Sequence, residues 1–388
     1  MRRGDGLRED PPAGMLYDLV INGVVNELRN VIWKIPDDFL QFSHYLRVVK
    51  DLEFTSSPGV PYLYTFPNIG TMFGYRDGTL DDDRLLSVWG LVKQRLIDRS
   101  CDPIRVFVKA EPHKVKKLEN KAYRLIASVS VVDQIIDALL FNPLNDLVVE
   151  NFIDSPIKVG WSPYKGGWKM MPLGGVVATD ASSWDWTVKS WLLQMELDVR
   201  KQLCSNLTQE WEDLANWRYK CLFDSPVWQT SFGFQLRQRH PGVMKSGCVN
   251  TIVSNSIMQI ILHHRVAMEV GQQAESMFCM GDDVLQTPQS DMKTYLQKKN
   301  EYCIIKSAAQ VSEFAGHRFL RDSIEPLYLG KHAFQLLHAN PKYVREMAIS
   351  YALLYHRSDK RETLRRLLAE IGQELPSESL LDAIFDGE

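Results

Sequence analysis

The chain has 388 residues, of which 45% are hydrophobic and 24% charged, enough to fill two or three lobes with sizeable cores and too apolar for a disordered protein. Its formal net charge of −3 carries no global signature of nucleic-acid binding, and no run of about 18 apolar residues offers a membrane span. Six cysteines scattered singly, with no CxxC pair, argue against a disulfide framework or a structural zinc.

The first fourteen residues, charged and proline-bearing, predict a loose tail rather than a signal peptide, so a soluble, intracellular protein is expected. Met15 to Trp33 then predicts a helical segment interrupted at Asn22 and Gly23. Thr55 to Tyr62, with two Pro and a Gly in eight positions, is a stiff loop, and Arg84 to Ile97 is a core-facing helix.

Two strand-type stretches, around Val106 to Val108 and Leu125 to Ile126, flank a basic loop. Between Arg105 and Arg124 seven Lys or Arg stand against two acids, a local charge of +5. Such a run is either a solvated face or a phosphate-attracting field, with Lys109 and Arg124 near the stems of the loop. A helix from Asp133 to Val149 and a Gly, Pro and Trp-rich boundary from Gly160 to Gly175 follow.

Gly174 to Asp180 is an apolar run ending in an acid, as ligands at rigid strand ends do. Asp185, five residues on, either turns back to the same cleft or caps the next helix, predicted as one long pattern from Ser190 to Tyr219. In KSGCVNTIVSN a helix begins at Thr251, with Thr251, Asn255 and Gln259 on one face; a polar stripe on an apolar helix needs partners, so it is expected to face a cleft. Ser246 and Gly247 precede it as a loop where glycine permits close backbone approach.

Met277 to Gln286 predicts a strand, a Gly281-Asp282 turn and a second strand. Asp282 and Asp283 at its tip either sit in solvent or bind a hard divalent cation through oxygen. Beyond it lie a helix from Asp291 to Asn300, a strand carrying Lys306, a hairpin from FAGHRFL and LYLG, and three or four short helices from Lys331 onward.

In this order the motifs resemble those of the RNA-dependent RNA polymerases of positive-strand RNA viruses. DASSWDW is similar to the first palm motif, SGCVNTIVSN to the SGxxxTxxxN pattern of the second, and Gly281-Asp282-Asp283 to the third. Lys306 falls at the lysine of the fourth, and FAGHRF resembles the fifth. The cationic segment with Lys109, Glu111 and Arg124 resembles the fingers motif, and TSSPGVP the loop at which template enters. The wording VFVKAEPH, YRLIASVSVVDQ and DASSWDW is most similar to sobemovirus and luteovirus-type polymerases.

The resemblance implies an α+β right-hand fold with an antiparallel palm sheet and mainly helical fingers and thumb. Residues 1–173 would be an N-terminal extension and fingers, 174–218 and 246–330 the palm, 219–245 a fingers insertion and 331–388 a short thumb. It implies two Mg²⁺ ions, with Mn²⁺ able to substitute, on Asp180, Asp282 and Asp283. Lys306 would be the general acid, and Asp185, Ser246, Thr251 and Asn255 would read the NTP ribose. Lys109 and Arg124 would hold the triphosphate, while Ser56, Gly59, Lys116, Lys117 and Gly247 would lie along the RNA. The implied partners are RNA template and product, NTPs, a protein primer and other viral replication proteins, in a replication complex of the host cytoplasm. A reverse transcriptase shares paired palm acids but not Ser246, Thr251 and Asn255 together, and a noncatalytic RNA-binding module leaves three acids in separate segments unexplained.

Overall fold

The computed structural model describes residues 4–387. β1 (Ile104–Val108) and β2 (Leu125–Ser128) flank the basic loop, and β3 (Val177–Ala181) carries Asp180. β4 (Val227–Thr230) and β5 (Gln235–Arg237) make one hairpin, β6 (Met277–Met280) and β7 (Asp283–Gln286) another. β8 (Ile305–Ala309) carries Lys306, and β9 (Glu313–Phe314), β10 (His317–Phe319) and β11 (Ile324–Pro326) are short.

These strands form three sheets, ordered β2-β1-β4-β5, β6-β7-β3-β8 and β11-β10-β9. The second and third are antiparallel throughout, whereas β1 and β4 pair in parallel. The 219–245 segment therefore joins its two strands to the sheet begun by the basic hairpin, more than a hundred residues earlier in the chain.

Behind the β6-β7-β3-β8 sheet lies the Thr251–Glu269 helix, buried over most of its length. Helices Met15–Glu27 and Ser190–Gln202 pack on it and close the main apolar core, which includes Val20, Val24, Leu197, Ile257, Ile261 and Cys279. Within this core Arg200 pairs with Glu196 at 2.6 Å and donates to Asn145 and Ser254, while Tyr219 donates to the other Glu196 oxygen. A buried charge pair is tolerable only when its hydrogen bonds are satisfied. The pair itself lies within one helix, but Asn145, Ser254 and Tyr219 come from three neighbouring helices, so the network fixes how the helices cross. A second, smaller cluster of Trp161, Phe314, Phe319 and Phe385 supports the β9–β11 end.

Several expectations change on packing. The Met15–Glu27 helix runs unbroken through Asn22 and Gly23, because Gly23 lies against His264; a Cβ there would sit 2.7 Å from Nδ1. The Ser190 to Tyr219 pattern divides into Ser190–Gln202 and Gln209–Tyr219, the second capped by Thr208 accepting from the Trp211 N–H. LYLG is not a strand: β10 pairs with β11 instead, and a helix starts at Leu329. The segment read as a loose tail is strapped down over residues 8–10. The Arg8 N–H donates to the Glu301 carbonyl, Lys189 pairs with Glu9, and Arg265 donates to the Asp10 carbonyl. Four helices, Leu329–Leu337, Val344–Leu354, Arg361–Glu370 and Glu378–Asp386, make the C-terminal part. Among the described residues no helix is long and apolar enough to cross a membrane.

Candidate active site

Met280 and Asp283 pair across the end of the β6–β7 hairpin, leaving Gly281 and Asp282 as the two turn residues. Gly281 has φ +64° at the first central position, as a tight II′ hairpin turn requires. The turn is also pinned from below: the Gly281 N–H donates to Ser256 Oγ at 2.8 Å, and Ser256 in turn donates to the Ile252 carbonyl. Ser256 was not singled out from sequence, where one more serine on a helix carries no signal.

The registers bring the other acid and the lysine alongside. Thr179 pairs with Val284, so the next step along the ladder sets Asp180 opposite Asp283. On the other edge Asp180 pairs with Ser307 but Ala181 with Ile305, which leaves Lys306 as the extra residue of a bulge. Bulges re-aim side chains. Lys306 accordingly reaches across, and its ammonium donates to Asp180 Oδ2.

Asp282 and Asp283 are exposed toward the cleft yet crowded by protein. Burial first, then repulsion from Asp180, raises the Asp282 carboxyl. Burial, then Asp282 and Asp180, pushes Asp283 up to about 6 against the pull of Lys306. Two acids whose charged forms are disfavoured by each other gain from a cation beside them. Among the described residues no three His, Cys, Asp or Glu side chains converge into a ready-made metal cage, and Asp180 is held by Lys306 instead. The donor set is nevertheless hard oxygen, matching ions that bind through one or two carboxylates with substrate phosphates completing the shell. A cavity of about 130 Å³ lined by Asp180 and Asp283 is also lined by Gly316 and Tyr328, and Tyr328 carries no signal in the sequence.

The second group of residues is tied together by one amide. Asn255 accepts from Trp184 Nε1 at 3.0 Å through Oδ1 and donates to Asp185 Oδ1 at 2.9 Å through Nδ2. Because the indole can only donate, the amide oxygen must face it and the NH₂ must face the acid. Asp185 sits inside the short Trp184–Thr187 helix and does not cap it. Burial raises its carboxyl to about 6, opposed by Asn255 and Arg124 and increased by Asp282, so this acid shares the field of the hairpin tip.

Thr251 shares a helix face with Asn255, but its hydroxyl donates to the carbonyls of Lys245 and Cys248, closing the loop before the helix. Gln259, the third residue of the stripe, is 1% exposed with its Oε1 unpartnered, so the stripe meets the cleft only at its beginning.

Ser246 and Gly247 dock on β2. The Ala127 N–H donates to Ser246 Oγ at 3.2 Å, and Gly247 bridges Ser128. A Cβ on Gly247 would lie 2.2 Å from the Ala127 carbonyl oxygen, so this glycine permits a close approach to the β2 backbone. Gly247→Ala is expected to destabilise by about 1–3 kcal/mol, as overpacking does, and to lower Tm in a thermal melt; an unchanged Tm would show that the two segments are not held together here.

This dock couples the helix carrying Asn255 to the strand that begins beside Arg124. The Lys109 N–H donates to the Arg124 carbonyl, and Glu111 lies 3.3 Å from Lys109 Nζ and 4.0 Å from Arg124 Nη1. Burial works to raise the Glu111 carboxyl, but Lys109, Arg124 and Lys331 together outweigh it and lower it. Lys116 and Lys117 are exposed on the Val115–Glu119 helix between the strands, and Ser56 is exposed. Gly59 is buried with φ +71°, and a Cβ there would meet Ser130 Cα at 2.8 Å. It fastens its loop to the Val131–Glu150 helix, whose first N–H donates to the Pro58 carbonyl.

Residues 40–303 match the family described as "Viral RNA-dependent RNA polymerase". The match covers most of the chain and all the acids above, and the chain belongs to this family. Among curated proteins it is 29% identical to Protein P1-P2 of Potato leafroll virus, over 92% of this chain and 37% of that protein. It is 32% identical to Protein P1-P2 of Pea enation mosaic virus-1, over 74% and 26%, and 35% identical to Replicase polyprotein P2AB of Cocksfoot mottle virus, over 50% and 20%. The chain thus spans little more than a third of the length of these relatives, or less.

Proposed function

We propose that this chain is the catalytic part of a viral replicase, adding NMP units from NTPs to the 3′-OH of a growing RNA under the direction of an RNA template, in genome replication and transcription. The observation that carries this is the register that sets Asp180 opposite Asp283, beside the turn residue Asp282, at one end of an antiparallel sheet, with Asp185 in the field of Asp282. Asp180 and Asp282, with Asp283 beside them, would hold two Mg²⁺ ions, for which Mn²⁺ can substitute. Such ions stabilise the attacking and leaving oxygens of an in-line displacement at phosphorus.

The remaining steps belong to the chain's own side chains. Arg124 and Lys109 bind the triphosphate by charge-assisted hydrogen bonds. Asp185, oriented by Asn255, accepts from the ribose 2′-OH, and the Ser246 hydroxyl, whose oxygen is engaged by Ala127, keeps its proton to donate to the sugar. Thr251 contributes by holding the loop that carries Ser246. Lys306 gives its ammonium proton to the departing pyrophosphate; pairing with Asp180 raises its pKa and keeps it charged at neutral pH.

In this assignment the β6-β7-β3-β8 sheet is the palm, drawn from 174–218 and 246–330. The β2-β1-β4-β5 sheet belongs to fingers built from 1–173 and 219–245, and 331–388 is a short thumb. Ser56, Lys116 and Lys117 remain open to RNA. A protein primer, other replication proteins and a replication complex in the host cytoplasm complete the proposal. Extension of a primer on an RNA template with all four NTPs, with and without Mg²⁺, tests it: metal-dependent, template-directed NMP incorporation is expected, and a folded protein that incorporates nothing, or that prefers dNTPs, would overturn it.

A further inference from the structure

The β4–β5 hairpin is built against the usual economy of a sheet edge. β5 is the free edge of its sheet, and edges are ordinarily blunted by polar side chains. Here Phe232 is 99% exposed, Phe234 63% and Leu236 54%, one at every second position. Trp228 pairs with Leu236, and the Thr230 N–H donates to the Phe234 carbonyl, so Trp228, Leu236 and Phe234 share one face. Trp228 is buried and stacks on Trp186, with ring centroids 6.0 Å apart and planes 22° apart. Trp186 follows Asp185 directly. One face therefore carries rings from the neighbour of the ribose-reading acid out to a fully exposed tip.

Two further observations say what would cover it. Arg237 and Arg239 stand on the same short segment, both exposed, Arg237 on the face of Gln229 and Gln235 and donating once to the Ser225 carbonyl at 3.3 Å, with no carboxylate within 4 Å of either among the described residues. On the opposite face Gln229 donates to the Tyr64 hydroxyl and accepts from Gln235. Tyr64 is itself 67% exposed and ends the Tyr62–Tyr64 turn that closes the 55–62 loop, so the hairpin is tied to that loop. Flat rings that accept any base, on an edge strand whose other face carries guanidinium groups free of carboxylates, are the recognition chemistry of unstructured single-stranded nucleic acid.

We propose that the β4–β5 hairpin is a platform for single-stranded RNA running along this free edge, on which Phe232 and Phe234 stack bases on one face while Arg237 and Arg239, from the other face of the same edge, hold phosphates of the strand that continues past them, delivering template along the fingers toward the site. This rests on the polymerase reading for the purpose of the platform and not for its ligand. The ligand is single-stranded RNA by its chemistry alone.

Fluorescence anisotropy with a labelled 20-nucleotide single-stranded homopolymer RNA, using the full chain, tests it. Phe232→Ala with Phe234→Ala is expected to weaken binding by roughly tenfold or more, since stacking contributes strongly per base. Arg237→Gln with Arg239→Gln is expected to reduce the dependence of log affinity on log salt by about 0.7 per arginine. All four side chains are exposed, so the melting temperature should hold and a loss of fold would be seen there. Unchanged RNA affinity in both variants overturns the platform. So does unchanged RNA affinity accompanied by lost binding to vesicles containing phosphatidylserine, which would assign the hairpin to a membrane surface. A wild-type protein that incorporates no NMP but whose RNA affinity still falls in the phenylalanine variant would sink the polymerase reading and keep the platform.

Discussion

Asp282→Asn is expected to lower NMP incorporation by about 10³-fold or more in kcat, with little change in melting temperature. The hairpin explains both halves of that expectation. Asp282 is the second turn residue, its side chain is exposed, and the turn is held by the Gly281 N–H on Ser256 and not by the carboxylate. Asparagine keeps the shape and removes the charge, so fold and activity separate. Preorganised charge at a reacting centre is worth about 10²–10³ per group, and a carboxylate that holds the cations is at the upper end. Asp283→Asn should cost less, because Asp283 stands in the strand opposite Asp180 and its own ionised form is already disfavoured, its carboxyl lying at about 6. Single-turnover incorporation on a primed template measures both. A folded Asp282→Asn protein that extends within tenfold of the wild type would remove Asp282 from the reaction.

What could be read from the chain and what could not divide along the range of the interactions. Strand, turn and strand at 277–286 depend on neighbours within ten residues, and the structure has them at Met277–Met280 and Asp283–Gln286. The strand ends carrying Asp180 and Lys306 were legible for the same reason. The glycines were not. Gly23 reads as a break, and neither it nor Gly59 nor Gly247 shows from its neighbours which segment it meets, yet each lies where a Cβ would strike another part of the protein. A glycine needed for a turn announces itself by its neighbours, whereas one needed for a crossing of two segments depends on a partner that may be 120 residues away, as Ala127 is from Gly247. Thr251 illustrates the same limit, since its position on the helix face pointed to Asn255 while its hydroxyl serves the preceding loop. Lys306 was placed correctly in its strand, yet the bulge that turns it toward Asp180 exists only in the pairing with β3.

Asn255→Ala is expected to reduce discrimination between NTP and dNTP, measured as the ratio of their kcat/KM values, by about one to two orders of magnitude. A site that hydrogen-bonds a hydroxyl rejects an analogue lacking it because its own polar groups are then left unpaired. Asn255 is what makes Asp185 such a group: it fixes the acid through Nδ2 while its oxygen is fixed by Trp184. Losing the amide leaves the indole N–H and one face of Asp185 without partners, and it removes an interaction that favours the ionised acid. The Asp185 carboxyl, already raised to about 6 by burial, then moves higher. The sign follows from which form reads the sugar. In the proposed function the carboxylate accepts from the 2′-OH, so discrimination in the wild type should be full above pH 7 and decline as pH falls through about 6. In Asn255→Ala the decline should begin at a higher pH. Asp185→Asn, which cannot titrate, should show a reduced ratio that no longer varies with pH. Profiles of kcat/KM for ATP and dATP from pH 5.5 to 8.5 separate the three proteins, and a ratio in Asn255→Ala equal to that of the wild type across this range would show that the sugar is read elsewhere.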